Sequence, residues 1–261
     1  MRRHYLAAAE AAAVLAALAV PSRSTAAPPA ATLAHLASFN SGAGEAGSEI
    51  VVLDESTDSM LITNGSLNRI DVVSLADPAA PLLVRSISLA PYGSGVQSVA
   101  AHKGVGVAAV AGAPVLDAGS AVFFEIATGA VYATVPAGVL PDSVTWSKEG
   151  DVIVVANEGE PRCVAGPART PTRDPLLAEN PEGSITIIDV SANSRTLNAR
   201  QVDFGEFNSA AAKAALLAKG VRVGTWPGST VAQDLEPEYA TISGNIATSR
   251  CKRTTQSPPS T

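Results

Sequence analysis

Six oxygen-bearing side chains stand out for chemistry: Asn157, Glu158 and Glu160 in the run Asn157-Glu158-Gly159-Glu160-Pro161, and Asp234, Glu236 and Glu238 in the run Asp234-Leu235-Glu236-Pro237-Glu238-Tyr239. Carboxylates crowded at strand ends repel one another unless a cation neutralises them, and an all-oxygen set suits a hard ion such as calcium. The sequence therefore offers Glu158, Glu160, Asp234 and Glu236 as calcium ligands, with Asn157 and Glu238 completing the ligand-binding set. In the alternative reading, Glu158 and Glu160 cap solvated turns while Pro161 and Pro237 end strands. Alternate strand positions share a face, but two separate motifs need not converge.

Other chemical signatures are few. The sequence has no H-E-x-x-H, C-x-x-C, G-x-S-x-G or Walker loop. Beyond residue 27 only His35 and His102 remain, and His102 falls in a turn where a solvated imidazole is expected. A Ser-His-Asp triad needs no adjacency in sequence, and nothing marks one. Two function classes follow. One is a non-catalytic secreted or cell-surface domain whose acidic face binds calcium, mineral or a partner. The other is a calcium-dependent phosphoesterase, an alkaline phosphatase or phytase-like propeller using metal-bound water. Phosphate substrates call for Lys or Arg beside the metal. Only Lys148, Arg162, Arg169 and Arg173 lie near the motifs in sequence, so binding is the leading reading.

The elements that must position these residues are strands. Pro141 to Pro161 reads as a short strand (Ser143 to Trp146), a polar turn (Ser147 to Gly150) and an apolar run (Val152 to Ala156) ending in the acidic tip. The outline recurs. Glu49 to Leu53 leads through Asp54 to Asp58 into Met60 to Gly65, then Asn68 to Val73. Val96 to Ala101 leads through His102 to Gly104 into Val105 to Val110, then Ser120 to Phe124. Glu182 to Asp189 follows the central stretch. The first strands begin about 45 to 49 residues apart, the period of a four-stranded propeller blade. Asp77-Pro78 and Pro81 break the pattern before a strand from Leu82 to Leu89.

The expected fold is all-β, a β-propeller of YVTN or WD40-like blades over residues 49–247. Its units fall at 49–90, 96–136 and 141–203, and a fourth opens at Thr230 to Tyr239 with its first strand and turn at Ala240 to Asn245. A helix is expected from Ser209 to Lys219, and residues 161–181 interrupt the third unit as a surface loop. Asn64-Gly65-Ser66 fits a glycosylation sequon, but Asn-Gly favours a turn.

Composition agrees with a turn-rich β protein: 46% of the 261 residues are hydrophobic, with 21 Gly and 18 Pro. Aromatics reach only 4%, so the core must be built from Val, Ile, Leu and Ala. A net charge of −6 argues against nucleic acid or an anionic membrane as partner. Residues 1–27 read as a secretory signal: a basic start, an apolar stretch too short for a membrane span, then small residues. The expected location is secreted or cell-surface, with no transmembrane segment in the mature chain. The expected partners are an extracellular protein, a polysaccharide or a mineral surface. Residues 28–48 form a linker, and the G-x-G-x-x-G within it lacks the preceding strand and following helix of a dinucleotide site. In an oxidising compartment Cys163 and Cys251 invite a disulfide.

Several motifs resemble those of the choice-of-anchor I proteins, which include the mesenchyme-specific cell-surface glycoproteins of biomineralising tissue. The matching stretches include Ile62-Thr63-Asn64-Gly65, Ser88 to Gly93, Val96 to Ala100, Val154 to Pro161, Pro181-Glu182-Gly183-Ser184 and Val231 to Tyr239. The resemblance implies an extracellular β-propeller, longer than this chain, tethered in bacteria by variable anchors toward the C-terminus. After Ala247, where a second strand is due, the sequence turns polar and basic without period. Codons for this tail can encode the family's next segment in another frame. The expectation is therefore a frameshift near Ala247, a propeller incomplete at about three and a half blades, and a non-native tail over 248–261 without a regular strand. A Cys163 to Cys251 pair would then have no evolved geometry.

Overall fold

The computed structural model describes residues 33–163, 177–191, 196–224 and 228–251. The signal expected over 1–27, the loop residues Arg169 and Arg173, the Cys163 side chain and the tail beyond Cys251 lie outside them. Three four-stranded antiparallel sheets follow one another along the chain. The first is β1 (Val51–Asp54), β2 (Ser59–Asn64), β3 (Arg69–Ser74) and β4 (Leu82–Ser88). The second is β5 (Gly95–His102), β6 (Val105–Ala111), β7 (Ala118–Glu125) and β8 (Val131–Val139). The third takes β9 (Pro141–Trp146) and β10 (Val152–Asn157), then β13 (Ser184–Val190) and β14 (Leu197–Asp203). A two-stranded ribbon, β11 (Arg162–Cys163) and β12 (Leu177–Glu179), falls between β10 and β13 in sequence. A hairpin of β15 (Pro237–Ser243) and β16 (Ile246–Cys251) follows. Strand order in each four-stranded sheet is sequential, as the expected repeat requires. All these elements belong to the unit that begins at Leu36.

Two apolar clusters hold the sheets together, and the second sheet contributes to both. Side chains alternate between faces along a strand. On β7, Phe124 joins Leu61, Ile70, Val72 and Val110 in one cluster, while Phe123 joins Val107, Val135, Ile153 and Ile188 in the other. Both rings are fully buried. Each contributes about 1.5–3 kcal/mol relative to an exposed ring. The expected aliphatic core is correct, anchored by these two aromatic side chains.

At one end of the assembly, turn residues lock neighbouring sheets. Asp54, closing β1, accepts 2.7 Å hydrogen bonds from the Ser56 and Thr57 hydroxyls. It also accepts the Gly104 amide of the β5–β6 turn at 3.2 Å. Burial pushes its carboxyl up, but these hydrogen bonds outweigh burial and hold it below the usual carboxylate range. His102, expected in a solvated turn, instead ends β5 half-buried, its ring 5.5 Å from that of Trp146. Burial and neighbouring Lys103 push its imidazole down, against the opposing pull of Asp54.

The Asn64 sequon is a turn rather than an acceptor. Its side chain is fully buried, donating to Asp71 at 2.9 Å and accepting from Leu67 N at 3.3 Å. The helix expected near Ser209 is α1 (Ala210–Ala218), capped by the Ser209 hydroxyl. The fourth unit differs from its expected outline in two places. Residues from Val231 open with a helical turn, α2 (Val231–Asp234), because Thr230 and Gln233 form a capping box. The strandless tail over 248–261 also fails in part, since β16 continues to Cys251. It pairs with β15 through Ile242↔Ala247 and Thr241↔Thr248. Backbone pairing beyond the Gly244 turn, at φ +55°, carries β16 without apolar alternation, for this hairpin is largely exposed.

The Asp54 network predicts acid sensitivity. The group's pKa is depressed on folding, so its stabilisation is present above the unfolded carboxylate pKa and disappears as pH falls through the depressed value. Asp54→Asn should lower unfolding free energy by about 2 kcal/mol at pH 7. Urea titrations should show that difference shrinking below about pH 4. A constant difference from pH 7 to 3 would remove Asp54 from this role.

Candidate functional site

The first acidic motif starts where β10 ends. Asn157 pairs directly with Ser184 at the start of β13, so residues 158–183 leave and re-enter the third sheet at adjacent points. The Asn157 side chain is fully buried. Its amide donates to Ser184 Oγ at 3.2 Å and Thr186 Oγ1 at 2.9 Å, while its Oδ1 is buried without a hydrogen-bond partner. The next two amides fix the direction of the tip. Glu158 N–H donates to Leu140 O at 2.8 Å, and Gly159 N–H to Val139 O at 3.1 Å. These bonds turn the chain against the corner between β8 and β9.

The second motif starts in α2. Asp234 ends this helix and accepts the Ser229 hydroxyl at 2.7 Å and the Gly224 amide. Its carboxylate thus ties two points of the preceding loop. Gln233 Nε2 donates to Asn180 O at 2.7 Å, and Gly183 N–H donates to Ala232 O at 3.0 Å. These contacts draw α2 onto the segment that returns from the acidic tip.

Glu182-Gly183 lies between the two motifs. A Cβ placed on Gly159 would stand 2.7 Å from Glu182 O, and one placed on Gly183 would stand 1.9 Å from Leu235 O and 2.6 Å from Pro237 Cδ. Only glycine permits the backbones to meet so closely. The geometry therefore brings both motifs to one end of the third sheet. Glu158, Asp234 and Glu236 are buried there, Glu238 is half-buried and Glu160 is exposed. Among the described residues, no group of three or more His, Cys, Asp or Glu side chains is placed to hold a metal ion. Cys251, opposite Pro237 across the hairpin, has a free thiol. Burial pushes that thiol up first, and the Glu236 charge adds to the shift.

A domain profile for the choice-of-anchor I domain matches residues 49–248. The chain belongs to the choice-of-anchor I family. No curated protein matches it in sequence. Among solved structures, this choice-of-anchor I chain is similar to a candidate 6-phosphogluconolactonase from Bacteroides uniformis. That match has 14% identity and a TM-score of 0.48, covering 77% of this chain and 46% of the other. The Kuenenia stuttgartiensis hydrazine synthase matches at 20% identity and a TM-score of 0.40, covering 58% and 41%. A functionally unknown protein from Desulfotomaculum acetoxidans matches at 12% identity and a TM-score of 0.41, covering 57% and 39%. The choice-of-anchor I chain thus spans less than half the length of each of these structures.

Residue chemistry alone missed Glu182, Gly183, Ser184 and Thr186. The first three stand in a stretch that resembles the family, so their position carried a signal. Thr186 showed only strand alternation. The close approach at Gly183 predicts that Gly183→Ala pushes Leu235 and Pro237 away from the Glu182-Gly183 segment. A destabilisation of about 2–3 kcal/mol is expected in thermal or urea unfolding. An unchanged midpoint would show that the two motifs do not depend on this contact.

Proposed function

We propose that this choice-of-anchor I chain is a non-catalytic extracellular binding domain built from consecutive propeller blades. Its contact surface is the acidic end of the third sheet. The observation that carries this reading is the Glu182-Gly183 wedge, which joins the Asn157–Glu160 tip to the Asp234–Glu238 segment. The blade reading draws on strand placement. β5 lies beside β1 and β9, and β15 lies beside β9, so the first strand of each sheet gathers next to that of its neighbour. Secretion or surface display accords with the family. Among the described residues, no helix is long and apolar enough to cross a membrane.

Calcium is the ligand proposed for this rim, with Glu158, Glu160, Asp234 and Glu236 as its acidic residues. Because no three His, Cys, Asp or Glu side chains gather to hold a metal among the described residues, carbonyl oxygens must supply much of the coordination, as calcium accepts. The buried, unpartnered Asn157 Oδ1 supports such a donor set. A calorimetric and thermal titration tests the proposal. Calcium at about a hundred times its Kd should add about 2–3 kcal/mol of stability, and Glu158→Gln with Glu236→Gln should abolish that increment. An identical unfolding temperature with and without millimolar calcium would leave these carboxylates to turn and loop contacts.

A further inference from the structure

Beside the acidic rim, a cavity of about 680 Å³ opens between the outer strands of the second and third sheets. That volume lies within the range of small-molecule sites, roughly 300–1,000 Å³. One wall is β8 from Pro136 to Val139, and the other is formed by β13 and β14. We propose that this cavity binds one neutral saccharide unit of an extracellular glycan. The inference rests on the reading of the chain as a binding domain and gives that domain a ligand class.

The polar groups on the wall define the chemistry. Ser184 and Thr186 line the cavity, and both hydroxyl oxygens accept from the Asn157 amide behind them. A hydroxyl that accepts from one side keeps its own O–H to donate elsewhere. The buried Asn157 thus leaves the O–H of each hydroxyl, Ser184 at 8% exposure and Thr186 at 1%, to donate at the cavity wall. A Cβ on Gly138 would stand 2.5 Å from Ser184 Oγ and 2.7 Å from Asn157 Cγ, so glycine is what lets this polar pair reach the wall.

Charge then selects among ligands. Glu182, Asp203 and Arg200 line the cavity, and the Arg200 guanidinium is already paired with Asp189. The ionic character left is acidic, which disfavours carboxylates and phosphates and favours a ligand that donates hydrogen bonds. Gln201 adds both a donor and an acceptor. Small apolar residues, Ala118, Ala137 and Ala199 among them, complete the lining. Donors, acceptors and a low apolar floor together suit a pyranose ring, whose hydroxyls do both and whose C–H face is apolar.

The test uses the full chain with methyl α-glucopyranoside, methyl α-mannopyranoside, methyl β-galactopyranoside and methyl glucuronide as probes. Saturation-transfer NMR and calorimetry supply the readouts. At least one neutral glycoside should bind in the millimolar range and more tightly than the glucuronide. Ala199 is exposed on β14, so Ala199→Tyr fills the cavity without disturbing the core and should weaken binding at least about tenfold. Thr186→Val should weaken it about fivefold. The pair Glu158→Gln and Glu236→Gln should change sugar affinity by less than about twofold. Asn157 belongs to both sites, so the sugar titrations are run without calcium, and calcium response and sugar binding then fail independently. Absence of binding by all three neutral glycosides, tighter binding of the glucuronide, or full affinity in a folded Ala199→Tyr protein would each overturn the proposal.

Discussion

The burial of the second sheet on both faces is the constraint on which the other contacts depend. Phe123 and Phe124 are neighbours in sequence, so strand alternation sends one ring toward the first sheet and the next toward the third. A one-residue slip of β7 would exchange the two rings and misplace both clusters. This single register relates the Asp54 turn to the Gly104 turn, and fixes β8 as a wall opposite β13. The acidic tip inherits its position from the same register, because the amides of Glu158 and Gly159 bond to Leu140 and Val139 at the end of β8.

The repeated sheets place different chemistry at equivalent positions. β2 ends in Asn64 and β10 in Asn157, both buried, while β6 ends in Ala111. Across the ladder, Ile62 faces Asp71 and Val155 faces Thr186. In the first sheet the asparagine donates to a carboxylate that also accepts from Arg69 and Ser86, forming a closed structural network. In the third sheet it donates to two hydroxyls at a cavity wall. A buried carboxylate with several donors stabilises its sheet, whereas hydroxyls with a free O–H leave hydrogen-bonding capacity for a ligand.

Much of this was legible in the residues. Apolar runs such as Val105 to Val110 and Val152 to Ala156 marked strands because packing enforces their pattern, and the turns between them carried Gly, Asn and Asp. β16 was not legible, since an exposed hairpin strand is held by backbone pairing that leaves no apolar period in Ile246 to Cys251. The α2 turn was hidden in a motif read for its carboxylates, although Thr230 and Gln233 carried its capping signal. At the site, Glu158 and Asp234 were visible as chemistry. The approach of the two chain segments that carry them was not, because it depends on how closely the Gly183 and Leu235 backbones meet, and no local pattern encodes a distance between segments.

The direct pairing of Asn157 with Ser184 separates the frame from its insert. The intervening residues 158–183 begin and end at one rung of the ladder, so lengthening them costs only slowly growing loop entropy and leaves every other rung unchanged. Length changes there leave the pairing of β10 with β13 in place, provided that the residues at both ends keep their contacts. The third sheet is thus a fixed frame, and a library or a grafted loop placed in this insert must keep the anchored ends, Glu158-Gly159 and Asn180 to Gly183.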